Sequence, residues 1–123
     1  NDTIYGGAGN DVLSGDVGVD SVCGNAGDDI YVHYMGGGVD YLNDNATGGG
    51  GGTDIIWFPN IALSSLILVW SQYGLNLNIT TAADWNYDGK VDDGVVIQNQ
   101  HQGGDYKIEL IAGSDSVLYS LPV

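Results

Sequence analysis

The chain has 123 residues, enough for one domain that buries about two-thirds of the surface its unfolded form exposes. Its 16 acidic residues, 15 of them Asp, face only 2 basic ones, and a formal net charge of −14 excludes nucleic acid and anionic membranes as partners, since both require basic patches. No segment reaches the roughly 20 apolar residues of a membrane span, so no membrane insertion is expected; Cys23 is the only cysteine, so no internal disulfide can staple the fold.

Residues 1–5, NDTIY, fit the last five places of a nine-residue unit whose first four places are absent. The chain is therefore expected to be a piece of a longer protein with an upstream domain. Residues 6–14, GGAGNDVLS, form a whole unit, followed without a gap by GDVGVDSVC from Gly15 and GNAGDDIYV from Gly24. Each unit has small or turn-forming residues at places one, two and four, Asp at place six and a large apolar residue at place eight. Glycine at the early places permits φ > 0 and a tight turn, and the last three places make a short strand with one side chain facing inward. Beyond residue 32 the frame loosens: 36–43 keeps Asp40 and Leu42, and 49–57 matches in full with Asp54 and Ile56. The inward column is then Ile4, Leu13, Val22, Tyr31, Leu42 and Ile56. This spacing is the signature of a calcium-binding parallel β-roll, and hard carboxylate and carbonyl oxygens are what Ca²⁺ takes.

Fifteen of the 21 glycines lie in the first 52 residues, and the chain turns apolar after Thr53. Residues 61–66 read as a short helical turn leading into an apolar run over 67–70. SQYG at 71–74 reads as a turn, and Leu75, Leu77 and Ile79 alternate as in a half-buried antiparallel strand. Further apolar runs fall at 95–97, 108–111 and 117–121.

Taken together, these features resemble the C-terminal module of the RTX (haemolysin-type calcium-binding) family. Residues 1–57 resemble its nonapeptide roll, including the change to an aromatic in the last regular unit, DDIYV. Residues 58–123 are similar to its capping region, in the order LNLNI, VVIQNQ, YKIELI and an acidic turn at Asp115. The resemblance implies an all-β fold: a right-handed parallel β-roll over 1–57, then a β-rich, antiparallel C-terminal cap over 58–123 of the same domain. It also implies a secreted protein, extracellular or at the cell surface, whose roll is unfolded in the calcium-poor cytoplasm, passes a type I secretion channel and folds on external Ca²⁺. Such modules follow proteases, lipases, toxins or adhesins and do not perform their chemistry.

With two units per turn of the roll, loops two units apart stack and sandwich an ion. The expected pairs are Asp2 with Asp20, Asp11 with Asp29, Asp20 with Asp40, and Asp29 with Asp54. Carbonyls at places one, two and four complete the shells: Gly6, Gly7 and Gly9; Gly15, Asp16 and Gly18; Gly24, Asn25 and Gly27; with Gly38 ahead of Asp40. Asp16 and Asn25 keep a carbonyl donor but in a less relaxed turn than glycine gives.

A second acidic constellation, DWNYDGKVDD over 84–93, sets Asp84, Asn86, Asp88, Gly89, Lys90 and Asp92 at places 1, 3, 5, 6, 7 and 9 of an EF-hand-like loop. Place 12 is Val95, where a bidentate acid belongs. An ion site, with Asp93 contributing, and a plain acidic hairpin connection are both open readings. His33 and His101 are expected to be solvated loop residues. There is no H-E-x-x-H pair, no carboxylate partner for the single Glu and no nucleophile elbow, so no enzymatic centre is read. Trp57 and Trp70 are expected in the core and Trp85 exposed. Asn45 and Asn78 head N-x-T sequons, which matter only in a glycosylating host. The reading is a calcium-binding, non-catalytic module. Two alternatives stand beside it: a surface or fibre subunit forming a homo-oligomer or filament stabilised by Ca²⁺, and a carbohydrate-binding module built on the tryptophans.

Overall fold

A computed structural model describes residues 2–44, 52–71, 74–100 and 108–121, with the Asp88 side chain outside that description. Each repeat yields one turn and one short strand: β1 Thr3–Tyr5, β2 Val12–Leu13, β3 Gly18–Cys23, β4 Ile30–Val32, β5 Gly38–Leu42 and β6 Ile55–Trp57. Successive strands alternate between two sheets. In one, β1 pairs with β3 and β3 with β5, all parallel; in the other, β2 pairs with β4 and β4 with β6, again parallel. This is the coil of a β-roll with two strands per turn. Early in the roll, partners across a turn are 18 residues apart.

Strict register puts equivalent side chains in line. Ile4 lies beside Val22 and Val22 beside Leu42; Leu13 lies beside Tyr31 and Tyr31 beside Ile56. All but the half-buried Ile4 are buried, and together they form the centre of the core. Burial of one such side chain contributes about 1.5–3 kcal/mol.

After β6 the chain leaves the roll for a 3₁₀ turn at Leu63–Ser65, strands β7 Leu66–Trp70 and β8 Leu77–Thr81, and helix α1 Ala82–Asp88. It returns as β9 Gly94–Ile97, β10 Leu110–Ala112 and β11 Leu118–Ser120. Parallel pairing does not stop at residue 57: β9 pairs in parallel with β5, and β10 in parallel with β6. The antiparallel pairs of the described residues are β7 with β8, β8 with β9, and β10 with β11. One further coil of the roll thus lies inside the region read from sequence as antiparallel cap. Its inward residues, Ile97 and Ile111, align with Leu42 and Ile56.

Residues 82–88 are helical, which corrects the expectation of an open loop there. The Thr81 hydroxyl caps the start by accepting from the Asp84 N–H at 3.2 Å, and Gly89 ends the helix in the left-handed conformation, its N–H donating to the Trp85 carbonyl. These are standard start and stop signals. Caps at Thr81 and Gly89 thus bound a helix where a hairpin connection was expected.

Close stacking of coils is most demanding at place four. Gly27 has φ +117, and a β-carbon there would overlap the Gly9 carbonyl of the adjacent coil. At place two, Gly7 has φ +85 but a β-carbon would meet nothing within 4 Å. Both Gly→Ala changes impose left-handed strain of about 1–2 kcal/mol, and only Gly27→Ala adds a collision between coils. In excess Ca²⁺, Gly27→Ala is expected to melt at least about 4 °C below Gly7→Ala. Equal melting temperatures would refute the stacked-coil contact.

Candidate metal centre

The turns of the roll gather on two edges. Along the first, where the chain crosses from the β1–β3–β5 sheet to the β2–β4–β6 sheet, backbone and carboxylate form a ladder. The Asp11 N–H donates to Asp29 Oδ1 at 2.9 Å and the Asp29 N–H to Asp54 Oδ1 at 2.9 Å. The Asp54 N–H donates to Glu109 Oε2 at 2.7 Å. Glu109 is the chain's single Glu, and sequence reading gave it no role. Its signal is positional, since it stands two residues before Ile111 as Asp54 stands two before Ile56. On the opposite edge the Asp2 N–H donates to Asp20 Oδ1 at 2.6 Å, and Asp20 and Asp40 are paired in register. The four expected pairs are therefore brought together.

Asp29, Asp54 and Glu109 each use one carboxylate oxygen in this way. Oδ2 of Asp11, Asp29 and Asp54, and Oδ1 of Asp40, are buried without a hydrogen-bond partner among the described residues. A buried charged oxygen left unpaired costs several kcal/mol, so such atoms are met by a cation or a proton. Backbone oxygens face the same spaces. A β-carbon on Gly6 would lie 2.7 Å from Asp11 Oδ2 and 3.0 Å from the Gly24 carbonyl oxygen of the next coil, so glycine leaves open a gap lined by carboxylate and carbonyl. Place two is left-handed even where it is not glycine, with φ 63 at Asp16 and 68 at Asn25. The donor set and its orphaned oxygens fit Ca²⁺.

Burial sets the electrostatics. It pushes the Asp54 carboxyl up to about 8, with the neighbouring Asp44 and Glu109 adding to the rise; backbone donation from Asp29 offsets part of it. Asp29 is raised as well, first by burial and then by Asp44 and Asp11. The Tyr31 hydroxyl, buried and donating to Asp44 Oδ1 at 2.5 Å, is held far above the usual phenol range.

The carboxylate column on the second edge ends differently. Beside Asp40 stands Val95, fully buried. His33 meets Asp40 instead: its Nδ1 lies 2.7 Å from Asp40 Oδ2, and its Nε2 lies 3.5 Å from Asp93 Oδ1. The ring is 2% exposed and packs edge-on against Phe58. This corrects the expectation of a solvated His33; a turn sequence gives no hint that Asp40 from the next strand and Asp93 from a distant segment converge on it. His101 lies outside the described residues, as do Asn45 and residues 49–51.

The second acidic constellation reaches the second edge through Asp93, while Asp84 makes contacts of its own. Asp84 Oδ2 accepts from the Thr80 hydroxyl at 2.7 Å and from the Asp92 N–H at 3.0 Å, which ties the end of β8 to the turn after α1. Asn86 and Lys90 are exposed. Asp93 Oδ2 accepts from the Gly36 N–H at 2.7 Å and so joins this segment to the roll. Trp57, Trp70 and Trp85 are all half-buried and sit on three different elements. Trp85 and Tyr41 line an open groove of about 590 Å³ on the outer face of the first sheet. No helix of the described residues is long and apolar enough to cross a membrane.

Residues 1–31 match the family described as RTX calcium-binding nonapeptide repeat, in 4 copies. No curated protein matches the chain. The matched residues hold Asp2, Asp11, Asp20 and Asp29, the first four carboxylates of the two edges.

A pH dependence follows from the raised carboxyls. A group lifted from 3.8 to about 8 in the fold stabilises it fully below the lower value, and that contribution is lost as pH rises through the upper one. In chelator, the fold is expected to be more stable near pH 5 than near pH 8, with Asp54→Asn flattening the slope. The folded fraction left in chelator, read by circular dichroism across this range, checks it, and a metal-free folded fraction that rises toward pH 8 contradicts it.

Proposed function

We propose that this chain, whose residues 1–31 are RTX calcium-binding nonapeptide repeats, is a non-catalytic module whose folding depends on Ca²⁺ outside the cell, serving an upstream domain delivered by type I secretion. The observation that carries this reading is the set of buried carboxylate oxygens of Asp11, Asp29, Asp40 and Asp54 to which no described residue hydrogen-bonds. Bound Ca²⁺ supplies the positive charge these oxygens require. On the first edge, Asp11, Asp29 and Asp54 would hold it with carbonyls of Gly6, Gly7, Gly9, Gly24, Asn25 and Gly27. On the second, Asp2, Asp20 and Asp40 would hold it with carbonyls of Gly15, Asp16, Gly18 and Gly38.

The physical logic of the switch is charge. In a calcium-poor compartment the stacked turns crowd like charges in a chain of net charge −14, and the extended coil relieves them. Where Ca²⁺ is abundant, ions that bind only the fold stabilise it by about 2.7 kcal/mol per site at a hundredfold excess over Kd. An unfolded chain in the cytoplasm is also the form that a narrow secretion channel admits.

Far-UV circular dichroism is expected to show loss of β signal in chelator and its return with millimolar Ca²⁺; an unchanged spectrum and melting temperature in chelator would sink the proposal. Asp29→Asn, which removes a carboxylate from between two turns, is expected to lower bound Ca²⁺ measured by calorimetry or metal analysis more than Asp84→Asn does. Equal losses would reject ions shared between stacked coils.

A further inference from the structure

We infer that Asp44 supplies a third carboxylate to the ion site between Asp29 and Asp54, making that site the tightest for a divalent cation in the molecule. The inference rests on the calcium-binding reading above and goes beyond the repeat pattern, because Asp44 is not at the repeat's Asp position. It stands two residues after Leu42, as Gly24 stands two after Val22, and Val22 and Leu42 are paired in register. An acid thus occupies the place where the regular coils have glycine.

Three observations place its carboxylate at the ion site. Asp29, Asp44 and Asp54 each offer a ligand atom within 4.8 Å of the other two, and all three residues are buried. Asp29 and Asp54 are wholly inaccessible, and Oδ2 of each has no hydrogen-bond partner among the described residues. A β-carbon on Gly24 would overlap Asp29 Oδ2 and lie 2.6 Å from the Tyr31 hydroxyl, so that oxygen and that hydroxyl border one space. The Tyr31 hydroxyl in turn donates to Asp44 Oδ1 at 2.5 Å and accepts from the Gly24 N–H at 2.8 Å. Tyr31 is therefore a positioning residue: its ring belongs to the core, and its hydroxyl holds Asp44 toward Asp29 and Asp54.

The chemistry that suits this arrangement is a hard cation of high charge. Two-carboxylate sites elsewhere in the roll balance a divalent ion, whereas three buried carboxylates exceed it. Calcium affinity rises with ligand charge count, and the excess makes a trivalent lanthanide a strong competitor. Tyr31, one hydrogen bond from a ligand, is placed to sensitise terbium emission.

The test uses the whole chain, with Ca²⁺ calorimetry and Tb³⁺ luminescence excited through the aromatic residues, on the natural protein, Asp44→Asn and Tyr31→Phe. Asp44→Asn is expected to weaken the tightest Ca²⁺ step at least about tenfold and to leave the weaker steps in place. Tyr31→Phe is expected to keep the ion count while losing most emission from the first Tb³⁺ bound. Unchanged tight binding in Asp44→Asn overturns the assignment, as does full first-ion emission in Tyr31→Phe, which needs no folded Asp44 variant. A natural protein that binds no Ca²⁺ would instead remove the calcium reading itself.

Discussion

Coils of a β-roll stack at the spacing of hydrogen-bonded strands, about 4.8 Å, so any side chain repeated at one place per coil is repeated along an edge at nearly that interval. When the side chain is Asp, the edge becomes a line of negative charge. At an effective dielectric of about 20, each neighbouring pair of full charges repels by about 3–4 kcal/mol. The same geometry that aligns Leu13, Tyr31 and Ile56 into a core aligns Asp11, Asp29 and Asp54 into that line. Core and charge cannot be separated, because one register creates both. The architecture thus calls for positive charge along its edges, which bound Ca²⁺ would supply.

The protein uses the backbone to direct these carboxylates. Asp29 and Asp54 each spend one oxygen on the N–H of the preceding coil, which fixes the rotamer and turns the other oxygen toward the gap between turns. The two edges then stop by different means. Glu109 completes the first with a longer acid on β10. On the second, His33 takes Asp40 while Val95 and Ile79 replace the acids, so that charge ends where apolar packing begins.

Much of this was legible in the sequence wherever the nonapeptide frame ran unbroken. Places six and eight told the ladder and the core apart through residue 31, and left-handed turns at Asp16 and Asn25 followed from the glycines they replace. Legibility failed where the frame was interrupted. Residues 45–51 separate Asp44 from its own unit, so nothing in the spacing marks it as the counterpart of Gly24. The last coil lies beyond an insertion holding β7, β8 and α1, and its place-six residues are Val95 and Glu109 rather than Asp. Periodicity reads neighbours in sequence, whereas β9 and β10 are neighbours of β5 and β6 only in space. His33 was misread for the same reason: its partners come from β5 and from the segment before β9.

That insertion also changes the thermodynamics of the final coil. Early coils close on partners 18 residues away, but Glu109 closes on Asp54 across 55. Chain-closure entropy grows with the logarithm of the interval, so the last coil costs about 1 kcal/mol more to bring home. The insertion compensates with its own local contacts: β7 and β8 form an antiparallel pair with five aligned residues, and β8 then pairs with β9. The roll's closing end is therefore held by backbone pairing of β7, β8 and β9 rather than by stacked carboxylates, so the charged edges finish against a wall of ordinary sheet.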